Sequence, residues 1–165
     1  MEDAGGAVLP GDRARIWARR RAEREALLSL GRELGRRLSL TGIQAVVVFG
    51  SVARGDFNLW SDVDVLVVAD DLPDRLLERL SLVNGLVPGT QALAWTPAEL
   101  AAKLRRGDPI AVEAYRCGVV VRGALPDVAG GREPLPGGRN PLLEAPEGRV
   151  IGTRGYGGPP MEPRP

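Results

Sequence analysis

Asp62 and Asp64 are separated by a single valine and follow the pair Gly50–Ser51 after ten intervening residues. On a β-strand, acids at i and i+2 project from one face. Two like charges held that close disfavour each other's ionisation unless a positive charge sits between them, and a divalent cation supplies one. Mg²⁺ takes oxygen ligands, commonly one or two protein carboxylates, and completes its octahedron with water and substrate phosphates. Gly50 and Ser51 suit the phosphate side of such a site. A glycine lets the chain turn sharply and a phosphate come close. Ser51 adds a hydroxyl, and its amide would lie at the start of a following helix, where unpaired N–H groups favour anions. The apolar runs Val46–Phe49 and Val65–Val68 flank this segment, which predicts a strand, a turn with a helix start, and a second strand.

Composition narrows the chemistry. The 165 residues suit about one domain with a single core. Histidine is absent, which excludes histidine triads, histidine-ligated zinc and histidine acid–base catalysis. A formal charge of +1 argues against blanket attraction to nucleic acid or to an anionic membrane. The single cysteine, Cys117, cannot form an internal disulfide. The acidic start MEDAGGAV has no signal-peptide character, and no apolar stretch reaches the length of a membrane span. The expectation is a soluble, cytoplasmic protein with no membrane association.

Three regions are expected: a basic helix at 1–40 packed on the core, a central domain at 41–123, and a Gly/Pro-rich, largely disordered tail at 124–165. Residues 1–11 read as a mobile lead-in, and Asp12 as the N-cap of a helix running to about Leu38. Leu27, Leu30, Leu34 and Leu38 share one face of it. Arg13, Arg15, Arg19, Arg20, Arg21 and Arg24 make its first half a basic rod, read as a solvated surface, with a partner or RNA contact as the sharper alternative. Strands are predicted at Ile43–Phe49, Thr90–Trp95 and Val119–Val121. Between them, Leu72, Leu76, Leu77 and Leu80 read as the apolar stripe of a helix opened by Asp70, Asp71 and Pro73. Thr96, Pro97 and Glu99 spell a capping box, and Asp108–Pro109 open a last helix to about Cys117, with Ile110, Val112 and Tyr115 available for packing. Trp60 reads as a hydrophobic plug under the loop, and Cys117 as a buried thiol. Arg54 has two balanced readings, a phosphate ligand or a tie to Asp56. Tyr156 reads as a solvated tail residue.

The string GSVARGD followed by SDVDVLVV resembles the signature of DNA polymerase beta-like nucleotidyltransferases, and most closely their minimal nucleotidyltransferases. Weaker similarity continues through Trp95–Leu100 and Arg106–Pro109, so the resemblance covers roughly residues 42–123. It implies a small α/β (α+β) domain with a mixed sheet and flanking helices. The implied chemistry is transfer of a nucleoside monophosphate from an NTP to a hydroxyl on a protein, RNA or small molecule. Asp62 and Asp64 would be the catalytic metal ligands for Mg²⁺ or Mn²⁺, with Gly50, Ser51 and Arg54 at the nucleotide phosphates. Active members of the family carry a third carboxylate five residues before the Thr-Pro helix start, and that count lands here on Gln91. Glutamine is neutral and cannot act as a base. No acid occurs anywhere in Thr90–Trp95, although one from elsewhere, such as Asp56, can substitute. Minimal nucleotidyltransferases also pair with helical HEPN-type partners in toxin–antitoxin modules. A catalytically weakened nucleotide- or partner-binding module is therefore the alternative function.

Overall fold

A computed structural model of the chain describes residues 10–58 and 60–127. Residues 1–9 of the lead-in expected at 1–11, most of the expected tail, and Tyr156 lie outside the described residues, while Pro10 and Gly11 belong to α1 and not to a lead-in. The elements run α1 (Pro10–Arg37), β1 (Ile43–Phe49), α2 (Gly50–Arg54), β2 (Val63–Ala69), α3 (Leu76–Val83), β3 (Thr90–Trp95), α4 (Pro97–Arg105), α5 (Pro109–Cys117) and β4 (Val119–Gly123). This is the mixed α+β architecture that the family resemblance implies.

The sheet order is β3-β2-β1-β4, with β1 antiparallel to both β2 and β4, and β2 parallel to β3. A parallel pair needs a crossover, and α3 supplies it. The unbroken apolar character of β1 and β2 has its reason in two covered faces. Alternate residues Val46, Val48, Val65 and Val67 meet Leu28 and Leu34 of α1 and Leu38 just past its end, with Val52 and Val83 in the same layer. The intervening Ala45, Val47, Leu66 and Val68 meet Leu100 of α4 and Ala111, Ala114 and Tyr115 of α5. Because side chains alternate along β2, Asp64 shares its face with Leu66 and Val68, and so looks toward the α5 side.

Several local expectations are corrected. Helix α1 begins at Pro10, so Asp12 lies in its first turn, where it faces the positive end of the helix dipole, and is not the cap. Trp60 is 91% exposed and is not a plug. Phe57 takes the buried position under the loop, with the Arg20 guanidinium 4.4 Å from its ring centroid. Helix α3 starts only at Leu76, and Leu76 and Leu77 are 62% and 76% exposed. Its buried residues are Arg79 and Val83, one turn apart. Ile110 is exposed, and Ala111, Ala114 and Tyr115 form the packed face of α5. Cys117, at the last position of that helix and off that face, is exposed, not buried. No helix among the described residues is long and apolar enough to cross a membrane.

Candidate active site

Strand β1 ends at Phe49, and the chain turns into α2 through Gly50 at φ +71°, a left-handed conformation that a side chain disfavours. The space is as demanding as the angle. A Cβ placed on Gly50 would lie 2.4 Å from Oδ2 of Asp64. The turn therefore packs directly on the carboxylate.

Strand register brings the other groups together. Asp64 is paired with Phe49 of β1 on one side and with Gln91 of β3 on the other. Asp62 does not belong to β2, which begins at Val63. It lies one residue before the strand, exposed, and its Oδ2 accepts a hydrogen bond of 2.8 Å from Nε2 of Gln91. The position counted back from the Thr-Pro helix start thus stands opposite Asp64 and touches Asp62, but it carries an amide.

Gly50, Ser51, Arg54, Asp64, Gln91 and Glu113 are among the residues lining a cleft of about 690 Å³, while Asp62 stands outside that lining and is joined to it through Gln91. Arg54 donates through Nε to Oδ2 of Asp56 at 3.2 Å and pairs with the Glu113 carboxylate. The tie to Asp56 is therefore present, while the guanidinium still borders the cleft. Hydrogen bonding to Asp56 first, and then the negative charge of Glu113, outweigh its burial and hold Arg54 more firmly protonated than usual. Burial is the largest influence pushing the Asp64 carboxyl above its ordinary value, followed by the charges of Glu113 and Asp62, with Arg54 opposing. Negative charge that Arg54 offsets only in part is what a cation relieves. Asp62 and Asp64 fit a hard divalent cation on that ground. No group of three or more His, Cys, Asp or Glu side chains forms a metal cage among the described residues. A cation here would draw the rest of its shell from water and phosphates, as Mg²⁺ does.

Four contributing residues are not evident from the chain. Glu113 reaches the cleft from α5, whose orientation is fixed by Asp108: its Oδ1 accepts from the amides of Ile110 and Ala111, each at 3.1 Å. The Asp108–Pro109 cap signals the helix but not which way it turns Glu113. Asn84 bridges α3 to the edge strand beside Gln91, its Oδ1 accepting from the Ala92 amide at 2.8 Å and its Nδ2 donating to the Ala92 carbonyl at 2.9 Å. Arg24 of α1 grips the back of α2 and Arg20 the loop that follows it, so this part of the basic rod is not solvated surface.

The chain was compared with known proteins. Over 43 residues it is 42% identical to a Methanocaldococcus jannaschii protein named as a putative protein adenylyltransferase, a stretch covering 26% of this chain and 29% of that relative. The match thus spans less than a third of the relative's length. Similar solved structures include a putative nucleotidyltransferase from Sulfolobus solfataricus, 20% identical with a TM-score of 0.46 over 61% of this chain and 84% of that one. Another is a toxin–antitoxin with AMP-PNP, 18% identical with a TM-score of 0.37 over 64% of this chain and 77% of that one. Residues 30–113, half of the chain and the half that carries Gly50, Ser51, Asp62, Asp64 and Gln91, match the nucleotidyltransferase domain, and the chain belongs to that family.

Proposed function

We propose that the cleft binds a nucleoside triphosphate together with Mg²⁺ or Mn²⁺ and transfers the nucleoside monophosphate to a hydroxyl acceptor, releasing pyrophosphate. The observation that carries this reading is the packing of the Asp64 carboxylate against the Gly50 turn, in a cleft that Ser51 and Arg54 also line. Asp62 and Asp64 hold the cation, which when bound neutralises charge that develops on the transferred phosphoryl group. Gly50 and Ser51 hold the phosphates, and Arg54 offers them a planar cation at the rim. Gln91 steadies Asp62 through its amide. Of the described residues lining the cleft, Asp64 and Glu113 are the carboxylates. With Asp64 committed to the cation and Gln91 unable to take a proton, Glu113 is the group for the acceptor's proton.

Calorimetry of ATP or GTP against the protein, with and without Mg²⁺, tests the binding. Binding is expected to need the cation and to be lost or much weakened in Asp64→Ala. Equal affinity with and without metal in the parent would refute it. For transfer, Gln91→Asp restores a carboxylate at the position opposite Asp64, and general-base help is worth a factor of about 10² to 10⁴. Labelled product should rise in that variant and fall in Glu113→Gln.

The amide at Gln91 also favours a second reading, in which the domain binds nucleotide or a partner, such as a helical HEPN-type protein, without turning over. Metal-dependent nucleotide binding without transfer in either the parent or Gln91→Asp, given a suitable acceptor, selects it.

A further inference from the structure

Within the basic run of α1, Arg20 and Arg24 point their guanidinium groups at main-chain carbonyls. Arg24 donates through Nε to the Val52 carbonyl at 2.9 Å and through Nη2 to that of Ala53 at 2.6 Å. Arg20 donates through Nη2 to the carbonyls of Gly55 at 3.2 Å and Phe57 at 3.0 Å. Its guanidinium also stacks on the Phe57 ring.

These carbonyls belong to a helix of five residues and the loop after it. A helix that short cannot sustain itself, and its last carbonyls have no partner within it. Gly55 and Asp56 donate their amides to the Ser51 carbonyl, which satisfies one of them. The two arginines satisfy the carbonyls of Val52 and Ala53 and fasten the chain through Phe57. Arg24 is partly desolvated in doing so, which draws its pKa down. A planar fork suits this role, because one guanidinium spans two adjacent carbonyls, whereas an ammonium is a point donor. Neither arginine lines the cleft.

We propose that Arg20 and Arg24 are positioning residues that hold the Gly50–Ser51 turn at the geometry needed to receive the nucleotide's phosphates. The proposal rests on the nucleotide-binding reading of the cleft. A displacement of about 1 Å at such a site can cost as much as about 10²-fold.

The test compares Arg24→Met and Arg24→Lys with Leu28→Ala. Leu28 lies one turn further along α1, buried in the core on the same face of the sheet, and does not belong to the site. Each protein is assayed for Mg²⁺–ATP affinity, thermal midpoint and hydrogen exchange. In Arg24→Met, affinity is expected to fall between about 10- and 10²-fold, with faster exchange at residues 50–57. Arg24→Lys should be intermediate, keeping the charge without the fork. Leu28→Ala should lose thermal stability while keeping the parent's affinity. Parental affinity and exchange in Arg24→Met would overturn the proposal. So would the same loss of affinity in Leu28→Ala at a matched midpoint, because the effect would then be one of stability alone. Should Arg24→Met not fold, Arg24→Lys and Arg20→Met carry the same comparison. A parent that binds no nucleotide refutes the reading of the cleft instead, and the exchange at residues 50–57 still decides whether the arginines hold the turn.

Discussion

Gly50 and Asp64 constrain each other. The left-handed φ of Gly50 and the 2.4 Å between a notional Cβ and Asp64 Oδ2 act together, so Gly50→Ala must both strain the backbone and push the carboxylate aside. Backbone strain of this kind costs about 1–3 kcal/mol. Chemical denaturation of Gly50→Ala should register a loss of that size, and its metal-dependent nucleotide binding should fall as well. Asp64 also predicts a pH dependence. Its carboxyl is raised above the ordinary value by burial and by the charges of Glu113 and Asp62. The folded state therefore holds that proton more tightly than the unfolded one, and this contribution disfavours folding as pH rises from the ordinary carboxylate range through the raised value. Without metal, Asp64→Asn should melt higher than the parent at neutral pH. That advantage should shrink as the pH falls and the parent's own Asp64 takes up its proton. Equal midpoints across the range would mean that the carboxylate is not under this pressure. Gly50, Asp64 and Gln91 were legible in the chain because turn chemistry and strand register act over short separations. Glu113 was not, because α5 carries it from 49 residues beyond Asp64 and only packing across the sheet face brings it to the cleft.

Among the elements, α4 and α5 follow their local rules closely. Thr96 accepts from the Glu99 amide while the Glu99 carboxylate accepts from the Thr96 amide, the reciprocal box that the sequence spells. Helix α3 departs from its rule, and the same glutamate explains why. Arg79 donates through Nη1 to both Glu99 oxygens, at 2.9 and 2.7 Å, and through Nε to the Pro73 carbonyl. Its stem can then fill the inner face of α3 while its charge is met. The leucine stripe at Leu76 and Leu77 consequently turns outward. No pattern within 76–83 announces this, because the partner is on another helix. Burial tends to raise the Glu99 carboxyl, but Arg79 and the Thr96 amide outweigh it and hold it low. Its stabilisation is thus complete above the ordinary carboxylate range and is lost as pH falls through the lowered value. Glu99→Gln removes the charge on these bonds, which are worth about 1.5–3 kcal/mol in partly buried settings. Exposure of the glutamate places the expected loss toward the low end. Urea denaturation near neutral pH measures it, and an unchanged midpoint would show that the charge of Glu99 adds nothing to these bonds.

Across the whole molecule, α1 joins three environments in one rod. Residues 12–19 are exposed on every side, Arg24 grips α2 and Arg20 the loop after it, and Leu28 and Leu34, followed by Leu38 just past the helix end, enter the core. The leucine period was readable from the chain, and so was the charge. That two of the arginines serve the turn could not be read, since their acceptors are main-chain carbonyls, which have no sequence identity. Phe57 and Trp60 repeat the lesson: both are aromatic and both lie in one loop, yet Phe57 joins the core and meets Arg20 while Trp60 is exposed. The division of α1 predicts the outcome of two nested truncations. Removing residues 1–17 takes away the exposed helical residues 12–17, including Ile16 and Trp17, and leaves both grips and the core leucines intact. That protein should keep its thermal midpoint and its nucleotide affinity. Removing residues 1–26 leaves Leu28, Leu34 and Leu38 but deletes both arginines, so the sheet should still fold while affinity falls with the arginine variants. If the shorter truncation already abolishes binding, the exposed stretch touches the nucleotide or its acceptor. Loss of RNA binding in that same protein, with a steep dependence on salt in the parent, would assign Arg13 and Arg15 to a nucleic-acid contact.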